Sequence, residues 1–237
     1  MPENLSKPNV VRLTPGPEEG KLFNMDPECN CMMEASGQVI DKAVNRRSNQ
    51  VSPIESWLYL SGARAVKPPK LKDLGITCVI DCTVELPSLP IDGTELVKVL
   101  VSDTSASILD NHFDTIADKI EEVRRCKGRV LVHCVAGVSR SPALVLAYLV
   151  KHRGMSLREA FLHVRSVRPN VRPNAGFFSQ LIEFERRIRG CTTVALVHDA
   201  ALGLTIPDVC EDELKFLKDT RWARLIHERR NFERLYA

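Results

Sequence analysis

The densest cluster of reactive side chains in this 237-residue chain is the run His133-Cys134-Val135-Ala136-Gly137-Val138-Ser139-Arg140-Ser141. Val130-Leu131-Val132 ahead of it reads as a short apolar strand. Pro142 and the following ALVLAYLV read as a helix apolar almost all round, with Pro142 in the first turn, where its missing N–H costs nothing. A loop between a strand and a helix N-terminus aims successive backbone N–H groups at one point, and the helix dipole adds positive potential there. Such a loop is built to hold an anion. Gly137 lets it curl tightly, and Arg140 can return across the ring to grip two phosphate oxygens through its planar fork. The same field favours the thiolate of Cys134, placed beneath a bound phosphorus for in-line attack. A phosphocysteine intermediate would divide the reaction into two easier steps. Arg140 and the loop amides supply the charge stabilisation that cations otherwise give, so neither a metal nor a cofactor is expected. The expected phosphate-binding set is Val135, Ala136, Gly137, Val138, Ser139 and Arg140. His133 is expected to position the cysteine through hydrogen bonds to nearby backbone, and Ser141 to donate to the sulfur as it leaves.

A departing alkoxide or phenoxide needs a proton, so a general acid must come from elsewhere in the chain. Asp103, in Val101-Ser102-Asp103-Thr104-Ser105, follows a predicted strand and opens a loop. Strand-end loops of an α/β sheet gather on one edge, the edge of the Cys134 loop. Asp103 is therefore the expected acid and, in the second step, the base acting on water; Asp81, Asp92 and Asp110 are its rivals. Cys82 ends the strand that begins near Ile76, a neighbour of the Cys134 strand. It is a candidate to trap an oxidised Cys134 as a disulfide, or else a small core residue.

The elements that must carry these groups follow from hydrophobic period and caps. Trp57-Leu58-Tyr59-Leu60 reads as a strand ended by Ser61-Gly62, Ile76 to Ile80 as a buried strand, and Leu96 to Val101 as the next. Leu71 to Leu74 suggests a short helix stopped by Gly75. Phe113, Ile116, Ala117, Ile120 and Val123 recur at helical spacing, with Asn111 as N-cap and Gly128 as stop. Ser156-Leu157-Arg158-Glu159 is a capping box opening a helix that ends before Pro169. Asn174 caps a last long helix to Arg189, with Gly190 beyond. Strands alternating with helices predict an α/β fold with a central mixed, largely parallel sheet flanked by helices.

Residues 1–50 carry scattered Pro, Glu, Asn and Ser without period and read as a disordered extension. Residues 51–192 form the expected catalytic domain. Residues 193–237 form a C-terminal extension whose charged helix begins near Glu211; its Leu214, Leu217, Leu225, Phe232 and Leu235 read as a packing face, with partner binding as the alternative. The net charge of +3 is spread evenly, which argues against a nucleic-acid partner. No apolar run reaches membrane-spanning length, and the N-terminus lacks a secretory pattern. Eight cysteines match no zinc spacing, although Cys29 and Cys31 form a bare C-x-C. Reduced thiols and an intracellular, cytoplasmic or nuclear location are expected.

The pattern H-C-x-x-G-x-x-R-S resembles the signature of the protein tyrosine phosphatase superfamily. The spacing from Asp103 to Cys134 is similar to that of its dual-specificity members. So are Leu58-Tyr59-Leu60-Ser61-Gly62, Gly75-Ile76-Thr77 and the run from Arg172-Pro173-Asn174 through Gly176-Phe177 to Gln180-Leu181. The likeness covers about residues 51 to 190, and Ile206-Pro207-Asp208 resembles the small atypical dual-specificity phosphatases. It implies the superfamily's fold and a shallow pocket accepting phosphotyrosine and phosphoserine or phosphothreonine. It also implies phosphorylated protein substrates, signalling kinases among the candidates, and a bracing role for Asn174 at the phosphate loop. The apolar Val135, Ala136 and Val138 argue against phosphoinositides, whose phosphatases tend to carry Lys here. Sulfur transfer, RNA triphosphate hydrolysis and a catalytically silent phosphate-reading module are the other readings.

Overall fold

The computed structural model describes residues 10–13, 50–87, 90–200, 203–212 and 215. Six strands form one sheet in the order β1-β5-β4-β6-β3-β2. They are β1 (Val10–Leu13), β2 (Ser52–Pro53), β3 (Leu58–Gly62), β4 (Cys78–Asp81), β5 (Glu95–Val99) and β6 (Val130–Cys134). All neighbours pair in parallel except β2 with β3, the mixed, largely parallel sheet that was expected. β4 and β6 are buried along their whole length, because helices cover both faces.

Alternation along the strands sorts the core. Tyr59, Val79, Leu96 and Leu131 turn to one face, where Leu71 of the short helix α1 (Pro68–Asp73) joins them. Leu58, Leu60, Ile80, Val97, Val99, Val130 and Val132 turn to the other. There they meet α2 (Phe113–Arg125), α3 (Arg140–Arg153), α4 (Leu157–Val167) and α5 (Ala175–Arg189). α3 is buried from Arg140 to Val150, as its all-round apolar run required.

Local signals placed most boundaries well. Ser156 and Glu159 form both arms of the capping box on α4. Asn174 Oδ1 accepts from Phe177 N at 2.9 Å and opens α5, and Gly190 closes it in the left-handed conformation. α1 begins earlier than expected because Pro68 and Pro69 fit a first helical turn. The ends of α2 require correction. Asn111 is not its N-cap: it lies in a 3₁₀ turn, Asp110–His112, and α2 starts at Phe113. The amides of Leu109 and Asp110 are satisfied by Gln180 Oε1 from α5, at 2.7 and 2.9 Å. At the other end Lys127, not Gly128, adopts the positive φ. Gly128 is instead needed for space, since a Cβ there would stand 2.5 Å from Thr77 Oγ1.

Two segments expected to be extensions join the domain. Val10–Leu13 pairs in parallel with β5 at the sheet edge, so the disordered reading fails at those residues; the rest of 1–49, with Cys29 and Cys31, lies outside the described residues. Beyond residue 192, β7 (Leu196–Asp199) and β8 (Leu204–Pro207) form an antiparallel hairpin, and Val194, Ile206 and Cys210 are buried in the main core. Glu185, fully buried on α5, accepts from Leu157 N, Thr193 N and Thr193 Oγ1 and so clasps this segment to the start of α4. Apart from Glu211, Asp212 and Lys215, the expected C-terminal helix lies outside the described residues. No helix among the described residues is long and apolar enough to cross a membrane.

Candidate active site

Cys134 is the last residue of β6, and Arg140 the first of α3. Between them the chain turns through Gly137 at φ +69°, with its amide 3.2 Å from Cys134 Sγ. No other residue type fits at Gly137, because a Cβ there would lie 2.5 Å from the Ser61 carbonyl oxygen.

Four successive carbonyls of this loop are tied outward. Val135 O accepts from Ala63 N at 3.0 Å, and Val138 O from Arg172 N at 2.7 Å. Arg168 takes the two between them, Nη2 on Ala136 O at 3.1 Å and Nε on Gly137 O at 2.9 Å. In a planar trans peptide the C=O of one residue and the N–H of the next point in opposite senses. Fixing the carbonyls of 135–138 outward therefore directs the amides of 136–139 inward, toward the cysteine sulfur. Arg168 is only 1% exposed. Its Nη1 reaches Gln50 O and Ser52 Oγ, so the arginine also ties the chain ahead of β3 to the loop. Burial lowers its hold on its proton, and the adjacent Cys134 opposes that shift.

Ser141 Oγ donates to Cys134 Sγ at 3.2 Å. Arg140 is 2% exposed, and its Nη1 donates to Glu85 Oε2 at 2.8 Å and to Val101 O at 3.1 Å. Its Nε is buried without a hydrogen bond, 3.6 Å from Asp103 Oδ2. With the Nη1 corner engaged, the parallel N–H pair of Nε and Nη2 is left for a two-oxygen ligand. Partial burial opposes ionisation of Glu85, but the hydrogen bond and charge of Arg140 outweigh it and hold the carboxyl below its ordinary range.

Asp103 is the one of the four candidate aspartates that the structure brings to the loop. Ser139 Oγ donates to its Oδ1 at 2.6 Å, and Asn174 Nδ2 to the same oxygen at 3.0 Å. Asn174 reaches the phosphate loop through its backbone N–H on Ser139 Oγ at 3.2 Å. The Asp103 loop is pressed onto α5, since a Cβ on Gly176 would fall 1.9 Å from Ser105 O, and Gln180 Nε2 donates to Ser107 O. Asp81 is buried and paired with Lys98 at 2.7 Å. Asp92 precedes β5 and so stands at the opposite sheet edge, and Asp110 opens the turn leading to α2.

His133 is buried, with Nε2 3.8 Å from Asp81 Oδ1. Burial pushes its pKa down, while the charge of Asp81 and a hydrogen bond with the Cys134 backbone pull it up. The ring thus sits between a carboxylate on β4 and the backbone of the neighbouring cysteine. Glu85, Arg168 and Lys98 were not among the expected site residues. Glu85 stands five residues after a predicted strand and Lys98 inside one, but nothing local marks them; Arg168 carries only the following Pro169 as a signal.

Residues 58–187, more than half of the chain, match the family described as "Dual specificity phosphatase, catalytic domain". This chain belongs to the dual specificity phosphatase family. Dual specificity protein phosphatase 14 of Homo sapiens is 42% identical over 168 residues, covering 70% of this chain and 84% of that protein. The crystal structure of human DUSP28 superposes with a TM-score of 0.57 at 34% identity, over 59% of this chain and 95% of that one. A mouse dual specificity phosphatase complexed with zinc tungstate gives the same TM-score, 0.57, also at 34% identity, over 59% and 89%. The family's protein phosphatase activity is accordingly this chain's enzyme class.

Proposed function

We propose that the chain hydrolyses phosphotyrosine and phosphoserine or phosphothreonine in proteins through a phosphocysteine intermediate, without a metal. The outward tethering of the carbonyls of Val135, Ala136, Gly137 and Val138 carries this reading, because it builds a ring of amides around Cys134 Sγ. The tungstate complex of the mouse relative supports it, tungstate being a tetrahedral oxyanion. Cys134 Sγ attacks phosphorus, the P–O ester bond breaks, and Asp103 gives its proton to the leaving oxygen. Water then attacks the S–P bond as Asp103 takes a proton from it, while Ser141 Oγ donates to the departing sulfur. Arg140 and the amides carry the charge on the phosphoryl oxygens in both steps. Phosphorylated proteins, signalling kinases among them, are the substrate class. The described cysteines are all free thiols, which supports a reducing intracellular setting.

The test is phosphate release, in EDTA, from a peptide carrying both phosphothreonine and phosphotyrosine, with an acid quench to trap phosphoenzyme. Release from both residues, with label on Cys134, is the expected result. Folded protein that leaves the peptide intact but frees sulfite from thiosulfate, or phosphate from a phosphoinositide or an RNA 5′-triphosphate, overturns it.

Asp103→Asn is expected to lower kcat by about 10²-fold or more on the phosphothreonine peptide, the size of a general-acid contribution. The loss should shrink on an aryl phosphate whose leaving group needs no proton. Equal losses on both substrates would remove Asp103 from the acid role.

Cys82 follows β4, its amide donating to His133 O at 2.8 Å, and Asp81 is the register partner of His133. Cys82 is thus the strand neighbour of Cys134, at the inter-strand spacing a disulfide can bridge. Burial, with the nearby Cys134, pushes the Cys82 thiol well above the ordinary range, so it waits protonated. Peroxide would convert Cys134 to a sulfenic acid; Cys82 sulfur would then form the S–S bond, its proton leaving with the hydroxyl as water. Mass spectrometry after peroxide should show an 82–134 linkage that dithiothreitol reverses. Sulfonic acid at Cys134 without that linkage would exclude the trap.

A further inference from the structure

Lys98 stands on β5 with its ammonium in the protein interior, 7% exposed. It donates to Asp81 Oδ2 at 2.7 Å, Thr83 Oγ1 at 3.0 Å and Leu86 O at 3.0 Å. Asp81 Oδ1 in turn accepts from Thr83 N at 3.0 Å and Thr83 Oγ1 at 2.7 Å. An ammonium has three donors, and here each finds an oxygen. Two of those oxygens belong to residues on either side of Glu85, the residue whose carboxylate holds Arg140 Nη1. The Lys98–Asp81 pair touches neither the sulfur nor the phosphate loop's amides.

Glu85 needs such a support. Its side chain is 45% exposed, and a glutamate in a free loop would lose its geometry to rotamer entropy and solvent. Its other hydrogen bonds are local, with the Val84 amide at 3.0 Å and with its own backbone amide. Fixing Thr83 and Leu86 from below removes most of the freedom of the two bonds that carry the carboxylate. The arginine gains by the same arrangement: Nη1 is held by Glu85 and Val101 O, while Nε makes no hydrogen bond and lies 3.6 Å from Asp103 Oδ2.

We propose that Lys98 is a positioning residue for phosphate binding: it anchors the β4–β5 loop at Thr83 and Leu86 so that Glu85 fixes the fork of Arg140. The proposal rests on the phosphatase reading above and extends it to residues outside the signature. It makes oxyanion affinity depend on a buried ion pair that never meets the substrate. Glu85 and Lys98 then act in series, so removing either forfeits the same benefit and removing both costs little more.

The test uses the full chain and orthovanadate as competitive inhibitor of phosphotyrosine-peptide hydrolysis, with thermal unfolding in parallel. Glu85→Gln should raise the vanadate Ki and the peptide KM about tenfold, the size of one charge-assisted hydrogen bond, with kcat less affected and Tm unchanged. Lys98→Met should raise Ki by a similar factor, and Glu85→Gln with Lys98→Met by little more than either. Lys98→Met leaves the Asp81 carboxylate without its countercharge and is expected to lower the yield of folded protein; Asp81→Asn with Lys98→Met removes both charges and is read against Asp81→Asn alone. Wild-type Ki in Glu85→Gln, or in the folded fraction of the Lys98 variants, would overturn the proposal, as would fully additive losses. Failure of the wild type itself to bind vanadate and release phosphate would instead overturn the phosphatase reading.

Discussion

Cys134→Ser should abolish turnover, by on the order of 10⁵-fold or more, while leaving a folded protein that still binds tungstate. The two halves of this result come from different parts of the site. In the proposed mechanism binding belongs to the inward amides of residues 136–139 and to Arg140, which, apart from the Gly137 amide on Sγ, are held by contacts that do not involve the sulfur: Ala63 N, Arg168 and Arg172 N on the carbonyls, Glu85 and Val101 O on the guanidinium. Chemistry belongs to the sulfur. A serine hydroxyl at the same place is a far weaker nucleophile than a cysteine sulfur, and the nearby Ser141 and Gly137 groups, at 3.2 Å from Sγ, are donors that cannot take its proton. Calorimetric titration of tungstate should give an affinity within about tenfold of wild type, since the supports of the amides and of Arg140 are unchanged. Residual hydrolysis above about a hundredth of wild type would contradict nucleophilic catalysis at this position. Loss of tungstate binding in a folded variant would show that the loop depends on the sulfur for its shape.

Arg140→Lys keeps the charge and is expected to cost about 10³-fold in kcat/KM, the upper range for losing a transition-state donor set. The reason lies in how the guanidinium is shared. Nη1 satisfies Glu85 and Val101 O, and Nε makes no hydrogen bond, lying 3.6 Å from Asp103 Oδ2. A single ammonium has no second edge, so it must choose between Glu85 and the phosphoryl oxygens. The choice is biased toward Glu85, whose carboxylate is already ionised beside it. The loss should fall on kcat as well as KM, because two parallel donors matter most as charge gathers on the equatorial oxygens. A drop smaller than tenfold would mean that net charge, not the fork, is what the site requires.

Much of this site was legible from the order of residues because its parts are local. Strand, nucleophile, glycine, arginine and helix follow one another within a dozen positions, and the strand-to-helix geometry is implied by hydrophobic period and by Pro142. The caps at Ser156 and Asn174 were readable for the same reason: donor and acceptor are three residues apart. What escaped depends on distance. Asn111 looked like a cap, yet Gln180, some seventy residues on, supplies the acceptor for Leu109 and Asp110. Arg168 and Lys98 are single cations with no local pattern, and their importance comes from burial among carbonyls and carboxylates. Glu85 was hidden by its loop, since its role exists only when the ends of β4 and β6 come side by side. Val10–Leu13 was missed because four residues of edge strand carry too little periodicity to stand out from a polar segment.

The loop that bears Asp103 is stitched to α5 at three points: Asn174 on the carboxylate, Gly176 against the Ser105 carbonyl, and Gln180 on Ser107 O and the Leu109 and Asp110 amides. An acid mounted on a helix in this way is a fixture, without the hinge of a flap. With the acid of the proposed mechanism already beside the loop, no closure is needed to bring it there, and an induced-fit step for rejecting a poor fit is not expected. Selection must be made on the approach, by the outline of a static rim. A machine assembled before its cargo arrives gains readiness and gives up the chance to inspect, which suits the proposed acceptance of both aryl and alkyl esters.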